Sequence, residues 1–141
     1  MATVVLLMLM HENKVLLMRR CNTNWLDGYY DLVGGHLDGN ETLTAALCRE
    51  AMEEIGITIQ PDKAKLVHLL HYLADDTEYM YTFFTVNKWR SEPSILEPNK
   101  CDDLRWFSMD NLPENIAPAT KTALINIRSK ILLTEFTPAK S

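Results

Sequence analysis

Three glutamates, Glu50, Glu53 and Glu54, stand three and four residues apart in one short stretch of the chain. On an α-helix, at 100° per residue, their carboxylates fall within roughly a 60° sector. Like charges at that spacing repel by a few tenths of a kcal/mol per pair. The last turn of a helix, where these acids lie, is also the end at which the helix dipole disfavours anions. A bound cation would offset both costs, and an all-oxygen ligand set suits a hard one, Mg²⁺, with Mn²⁺ able to substitute. A solvated acidic face would have the same composition, so the neighbours decide. Arg49 adjoins the cluster, and Glu41 lies eight residues before it. That separation is just over two helical turns, so Arg49 can fold back to Glu41, clamp the preceding loop onto the helix and aim Glu50. Gly34-Gly35 falls where a strand ends and that loop begins. Glycines there allow positive φ and close approach of backbone to a ligand, with the Gly34 carbonyl within reach of a metal.

Other residues fit the same chemistry. Arg19 and Arg20 follow a strand directly and can hold phosphate, since each guanidinium binds two oxygens at once; they can equally be surface charge. His36 follows Gly35 and is placed to contact phosphate or metal-bound water. Trp25, Tyr29 and Tyr30 precede the glycines, where aromatics can stack on a base or anchor the loop to the core. His68 and His71, three apart in a strand, point to opposite faces and read as structural. Tyr79, Tyr81 and Phe83 share one strand face and Met80, Thr82 and Phe84 the other, a pattern of sheet packing.

The elements that must position these groups follow from the apolar pattern. The continuous run 3–10 suits a central strand covered on both faces, and 14–18 completes a hairpin with it. A loop fills 19–30, and 31–33 is a short strand stopping at the glycines. The spacing predicts a helix over 41–55, with Asn40 or Thr42 as N-cap and Gly56 as its stop. A brief strand at 57–59, strands at 66–73 and 79–86 with a turn at Asp75-Asp76, and a final strand at 104–107 follow. A helix over about 117–133 closes the chain. Strands flanking a mid-chain helix, with another helix at the end, give an α/β fold: a mixed sheet with helices on both faces.

Composition bounds the rest. The 141 residues fit one domain, and 47% hydrophobic with 23% charged residues is the composition of a packed soluble protein. The net charge of −5 argues against a duplex nucleic-acid partner. Cys21, Cys48 and Cys101 are odd in number and widely spaced, without a CxxC pair. They point to reduced thiols in a cytoplasmic protein rather than a disulfide framework or zinc site. The apolar run near the start is too short to span a bilayer, has no basic segment before it and is followed by Glu12, so neither a membrane anchor nor a signal peptide is expected.

The segment Gly35, Glu41, then Arg49-Glu50-Ala51-Met52-Glu53-Glu54-Ile55-Gly56-Ile57 resembles the Nudix box, GX5EX7REUXEEXGU with U aliphatic, at every fixed position. The likeness to a small MutT-like Nudix hydrolase extends to the first hairpin, Arg19-Arg20, the Trp106-Phe107 strand and Leu112-Pro113 before the last helix, and so covers nearly the whole chain. One departure is Val33, where many members have Pro. The resemblance implies a single Nudix domain over 1–141 with its box at 35–57, built as an α/β/α sandwich. It implies metal-dependent hydrolysis of a nucleoside diphosphate linked to another moiety. By position, Glu50, Glu53, Glu54 and the Gly34 carbonyl correspond to metal ligands, and Glu41 with Arg49 to the orienting salt bridge. Glu97 matches a further loop glutamate of many relatives, with Asp102 and Asp103 as rivals. Either Glu50 or Glu97 would be the general base. Gly35, His36, Arg19, Arg20, Trp25 and Tyr30 are the expected substrate contacts. The expected substrate is a nucleoside triphosphate, cut to the monophosphate and pyrophosphate by a monomer or homodimer. ADP-ribose, nucleotide sugars and dinucleoside polyphosphates are alternatives, and a non-catalytic nucleotide sensor is the alternative of a different class.

Overall fold

In the computed structural model, which describes residues 1–138, the order is β1 (Ala2–His11), β2 (Lys14–Arg20), β3 (Tyr30–Asp31), β4 (Val33–His36), α1 (Leu43–Ile55), β5 (Lys65–Ala74), β6 (Thr77–Val86), β7 (Cys101–Ser108), α2 (Pro118–Arg128) and β8 (Leu133–Phe136). β1 is the hub. It pairs parallel with β6, antiparallel with β4, and antiparallel with β2 at its far end. β5 extends the sheet from β6, and β8 adds to β5 in parallel. β2 carries β3 and β7 as further antiparallel partners. The sheet is mixed, as expected.

β1 explains why its sequence is apolar without alternation. Val5, Leu7 and Leu9 pack into a core that includes Ala46, Leu47, Ala51 and Ile55 of α1. Val4, Leu6 and Met8 face a second core that includes Ala123 and Leu124 of α2. Each helix therefore covers one face of the sheet, and both faces of the strand are dry.

α1 begins at Leu43, because the Thr42 hydroxyl accepts the Ala45 amide at 3.2 Å and acts as the N-cap. It ends at Gly56, whose left-handed φ of 71° returns its amide to the carbonyls of Ala51 and Met52. The residues 57–59 form no extended strand; Thr58 makes a single bridge to Arg90.

Two further expectations need correction. The strand that was to stop at Gly34-Gly35 runs through them to His36, paired with Val4–Leu7 of β1. Neither glycine has positive φ. Their smallness serves close packing instead: a Cβ on Gly34 would collide with the Val5 carbonyl oxygen. The last helix stops at Arg128, and the apolar residues after it enter the sheet as β8. Lys130, at φ 59°, makes the turn between them.

Candidate active site

α1 lies against β4, so the acids of its last turns meet the strand backbone where the glycines are. Glu54 accepts the Gly34 amide at 2.9 Å, which ties the helix end to the strand. Burial, then the charge of Glu50 and that of Glu97, push the Glu54 carboxyl up to about 8. Glu50 is raised too, chiefly by burial, with Glu53 and Glu97 adding to the rise while Arg49 opposes it. Gly35 faces Glu50 so closely that a Cβ there would lie 2.5 Å from Glu50 Oε1. Glu50 and Glu54 are thus crowded carboxylates, and the charge of Glu97, from the loop between β6 and β7, acts on both.

Arg49 organises the other side. Its Nη2 donates to Glu41 Oε1 at 2.7 Å and its Nε to Glu41 Oε2 at 3.1 Å, a two-toothed pair across the loop-to-helix junction. The same nitrogen Nη2 donates to the His36 carbonyl at 3.2 Å. Nη1 holds Glu50 at 3.0 Å and Glu53 at 3.3 Å. The fold-back read from the eight-residue spacing is therefore present, and it orients Glu50. Hydrogen bonds from Arg49 and from the Asp38 amide lower the Glu41 pKa, so this carboxylate stays charged. Glu53 is the outlier of the three acids, turned toward Arg49 and more exposed than Glu50, at 55% against 14% of the side chain.

Among the described residues no three His, Cys, Asp or Glu side chains converge as a ready metal site. The donor set nonetheless fits a hard cation. Glu50 and Glu54 are carboxylates raised chiefly by burial, with neighbouring glutamates adding to the rise of each, and a divalent ion is what would let both ionise.

The expected substrate contacts divide. Arg20 donates from Nε to the Trp25 carbonyl at 2.7 Å. Its charge acts on both Glu54 and Asp31. Arg19 is engaged instead, bonded to Asp102 at 2.7 Å with its guanidinium 5.7 Å from the Tyr30 ring centre. Tyr30 is buried, edge-on to Phe107 at 4.9 Å with its hydroxyl on Asp103, and is a core anchor rather than an exposed platform. Asp102 and Asp103, the rivals of Glu97, are held by these partners. His36 is exposed, its ring 5.6 Å from that of Tyr79. His68 is buried between the Ile131 carbonyl and the Thr134 hydroxyl, and His71 pairs with Glu78 at 2.6 Å, so both are structural as read.

Trp25, 47% exposed, stands over a cavity of about 370 Å³. Tyr72, Tyr81 and Phe83 line it from the sheet, the start of α2 from one side, and Asp31 contributes a carboxylate. In the sequence Tyr81 and Phe83 fit sheet packing, and no motif marks Asp31 and Thr120 as cavity residues. The available signal was a lone acid set between the apolar residues Tyr30 and Leu32, both of which are buried.

Comparison with known proteins agrees with this geometry. The NUDIX domain model matches residues 1–126. An 8-oxo-dGTP diphosphatase of Escherichia coli (strain K12) is 26% identical over 118 residues, 83% of this chain and 88% of that protein. One of Proteus vulgaris is 32% identical over 81 residues, 57% of this chain and 70% of that protein. The crystal structure of a MutT NUDIX hydrolase from Burkholderia pseudomallei superposes with a TM-score of 0.81 at 27% identity, covering 88% of this chain and 95% of that one. With its box charges assembled as described, the chain belongs to the NUDIX domain family and is a Nudix pyrophosphohydrolase acting on nucleoside diphosphate derivatives.

Proposed function

We propose that the protein hydrolyses a nucleoside triphosphate to the monophosphate and pyrophosphate, using Mg²⁺ or, in its place, Mn²⁺. The observation that carries this reading is an aromatic-walled cavity with Arg20 acting on both its carboxylate, Asp31, and the glutamate cluster, at Glu54. A base held in the cavity would leave its phosphates to run past Arg20 toward Glu50, Glu54 and Glu97. The two similar 8-oxo-dGTP diphosphatases support a nucleoside triphosphate over the other diphosphates.

Nudix hydrolases generally use divalent metal ions. Glu50, Glu53, Glu54, Glu97 and the Gly34 carbonyl oxygen are the groups that would hold one here. Such an ion, when bound, neutralises charge on the diphosphate and makes bound water more acidic. The chain's own groups do the rest. Arg49, fixed by Glu41, holds Glu50 in place, so turnover depends on that clamp. Glu50 or Glu97 takes the proton of the attacking water. Arg20 binds phosphate oxygen, and Trp25 stacks on the base. Gly35 keeps the strand backbone clear of Glu50.

No helix among the described residues is long and apolar enough to cross a membrane. The cysteines are free, which supports a reducing, cytoplasmic location. The test of function is a panel of nucleoside triphosphates, ADP-ribose, nucleotide sugars and dinucleoside polyphosphates, assayed with and without Mg²⁺. Metal-dependent turnover that is fastest on a triphosphate supports the proposal. Fastest turnover on another class replaces the substrate, and tight binding without turnover favours a sensor.

A further inference from the structure

The loop that carries Glu97 is docked on the end of α1 by two backbone amides and one side chain. A helix leaves its last carbonyls without intrahelical partners. In α1 the carbonyl of Glu54 accepts the Leu96 amide at 3.2 Å, and that of Ile55 accepts the Ser94 amide at 3.0 Å. Glu54 is therefore held at both ends, its carboxyl by the Gly34 amide and its backbone by the residue before Glu97. Leu96 also lays its side chain over Gly56. A Cβ built on that glycine would lie 3.2 Å from Cδ1, 3.6 Å from Cγ and 3.7 Å from Cδ2 of Leu96. Gly56 thus leaves room for Leu96 as well as supplying the left-handed φ of the helix stop. Leu96 is 50% exposed, so little of the core is at stake in this contact.

On its other side Glu97 is fixed by a turn. It precedes Pro98, which restricts it to extended backbone and presets the turn that follows. Its carbonyl accepts the Lys100 amide at 2.9 Å and the Cys101 amide at 3.1 Å, where β7 begins. The chain leaving β2 buttresses this turn: the Cys21 amide donates to the Lys100 carbonyl at 2.9 Å, and Asn22 Nδ2 to the Asn99 carbonyl at 3.2 Å. The carboxylate itself is not locked, since its exposed ion pair with Lys100 is 3.9 Å long. Its aim is set by the backbone on which it stands.

We propose that Leu96 is a positioning residue for Glu97: seated on Gly56, it fixes the loop on the end of α1 and so fixes Glu97 relative to Glu54, a role that rests on Glu97 being one of the groups that hold the divalent ion. Leu96 is an alkyl side chain with nothing to offer a metal, so its effect on the metal passes through Glu97. Shortening it removes the contact with Gly56 and lets the loop move against the helix. Loss of such support behind a ligand costs about ten-fold in metal affinity. Methionine, of nearly the same volume, keeps the contact.

Calorimetric titration of the full chain with Mn²⁺ alone tests this, alongside Tm and kcat on the fastest substrate of the panel. Leu96→Ala should weaken Mn²⁺ binding about ten-fold with only a few degrees lost in Tm, and Leu96→Met should bind as the wild type does. Glu97→Gln should also weaken Mn²⁺ binding about ten-fold. Leu96→Ala added to Glu97→Gln should cost no more than about two-fold further, because the acid it positions is already gone. The kcat values should follow the same pattern. Wild-type Mn²⁺ affinity in folded Leu96→Ala, or a loss that multiplies in full with that of Glu97→Gln, overturns the inference and leaves the metal site intact. Unchanged Mn²⁺ binding in Glu97→Gln, with a loss in Glu54→Gln, overturns it by removing Glu97 from the metal site. A wild type that binds no Mn²⁺ overturns the metal reading itself and the inference with it.

Discussion

Glu54 makes the stability of the metal-free protein depend on pH in an unusual direction. Its carboxyl, ordinarily at 4.5, is held up to about 8 by burial and by Glu50. Between those values the folded chain keeps a proton that the unfolded chain has released, so rising pH favours unfolding. The stabilising proton is fully present below pH 4.5 and lost as pH climbs through about 8. At about 1.4 kcal/mol for each tenfold in proton affinity, the full loss is on the order of 3–5 kcal/mol. In a chain of this size that is roughly 10 °C in Tm, at about 3 °C per kcal/mol. Glu54→Gln is close to a permanent copy of the protonated acid, and its amide oxygen can still accept the Gly34 amide. Scanning calorimetry in EDTA should therefore show the wild type falling behind Glu54→Gln by about that amount between pH 5 and pH 8. Mg²⁺ at a hundred times its Kd should return about 2.7 kcal/mol to the wild type at pH 8, and much less to the variant. Parallel melting of the two proteins across this range, without metal, would refute the reasoning.

Arg49→Ala should lower kcat by about a hundred-fold or more with a loss of only a few degrees in Tm, because it misaims Glu50 without opening the core; Arg49→Lys should not restore activity, lacking the two-toothed contact to Glu41. Gly35→Ala should abolish most turnover, since the new methyl would press on Glu50 Oε1, and a normally active variant would contradict the packing described. Trp25→Ala should weaken nucleotide binding by about ten- to a hundred-fold, the worth of one lost stack, while leaving the rise of Tm with Mg²⁺ unchanged. Thr42→Ala should cost about 1 kcal/mol in thermal unfolding through loss of the helix cap.

The parts of the fold legible in the sequence are those governed by local periodicity. α1, its cap at Thr42 and its stop at Gly56 follow from residues next to one another, and the Glu41–Arg49 pair follows from their eight-residue spacing, with Glu41 in the loop just before the cap. β8 was hidden because its apolar residues continue the composition of α2, while the edge it joins, Leu69–Tyr72 of β5, lies some sixty residues upstream. Gly34-Gly35 read as a break, yet β1 supplies the ladder that keeps them extended. The carboxylate cluster was legible in Glu50 and Glu54 but not in Glu53, whose turn toward Arg49 depends on side-chain packing. The cavity was not legible, since it is assembled from separate strands, a loop and the start of α2, none of which marks it alone. Of the two roles the sequence leaves open for Tyr30, stacking or anchoring, the choice is not legible for the same reason: its partners Phe107 and Asp103 belong to a distant strand.

The central claim is metal-dependent cleavage of a nucleoside triphosphate between its α and β phosphorus atoms by the Glu50–Glu54 cluster. It is tested most directly by following GTP with the wild type and with Glu50→Gln by ³¹P nuclear magnetic resonance, with Mg²⁺ and then with EDTA. The expected result is monophosphate and pyrophosphate appearing in equal amounts with Mg²⁺, no reaction in EDTA, and a loss of at least a hundred-fold in Glu50→Gln. Diphosphate with inorganic phosphate as products, or full activity in EDTA, would contradict it.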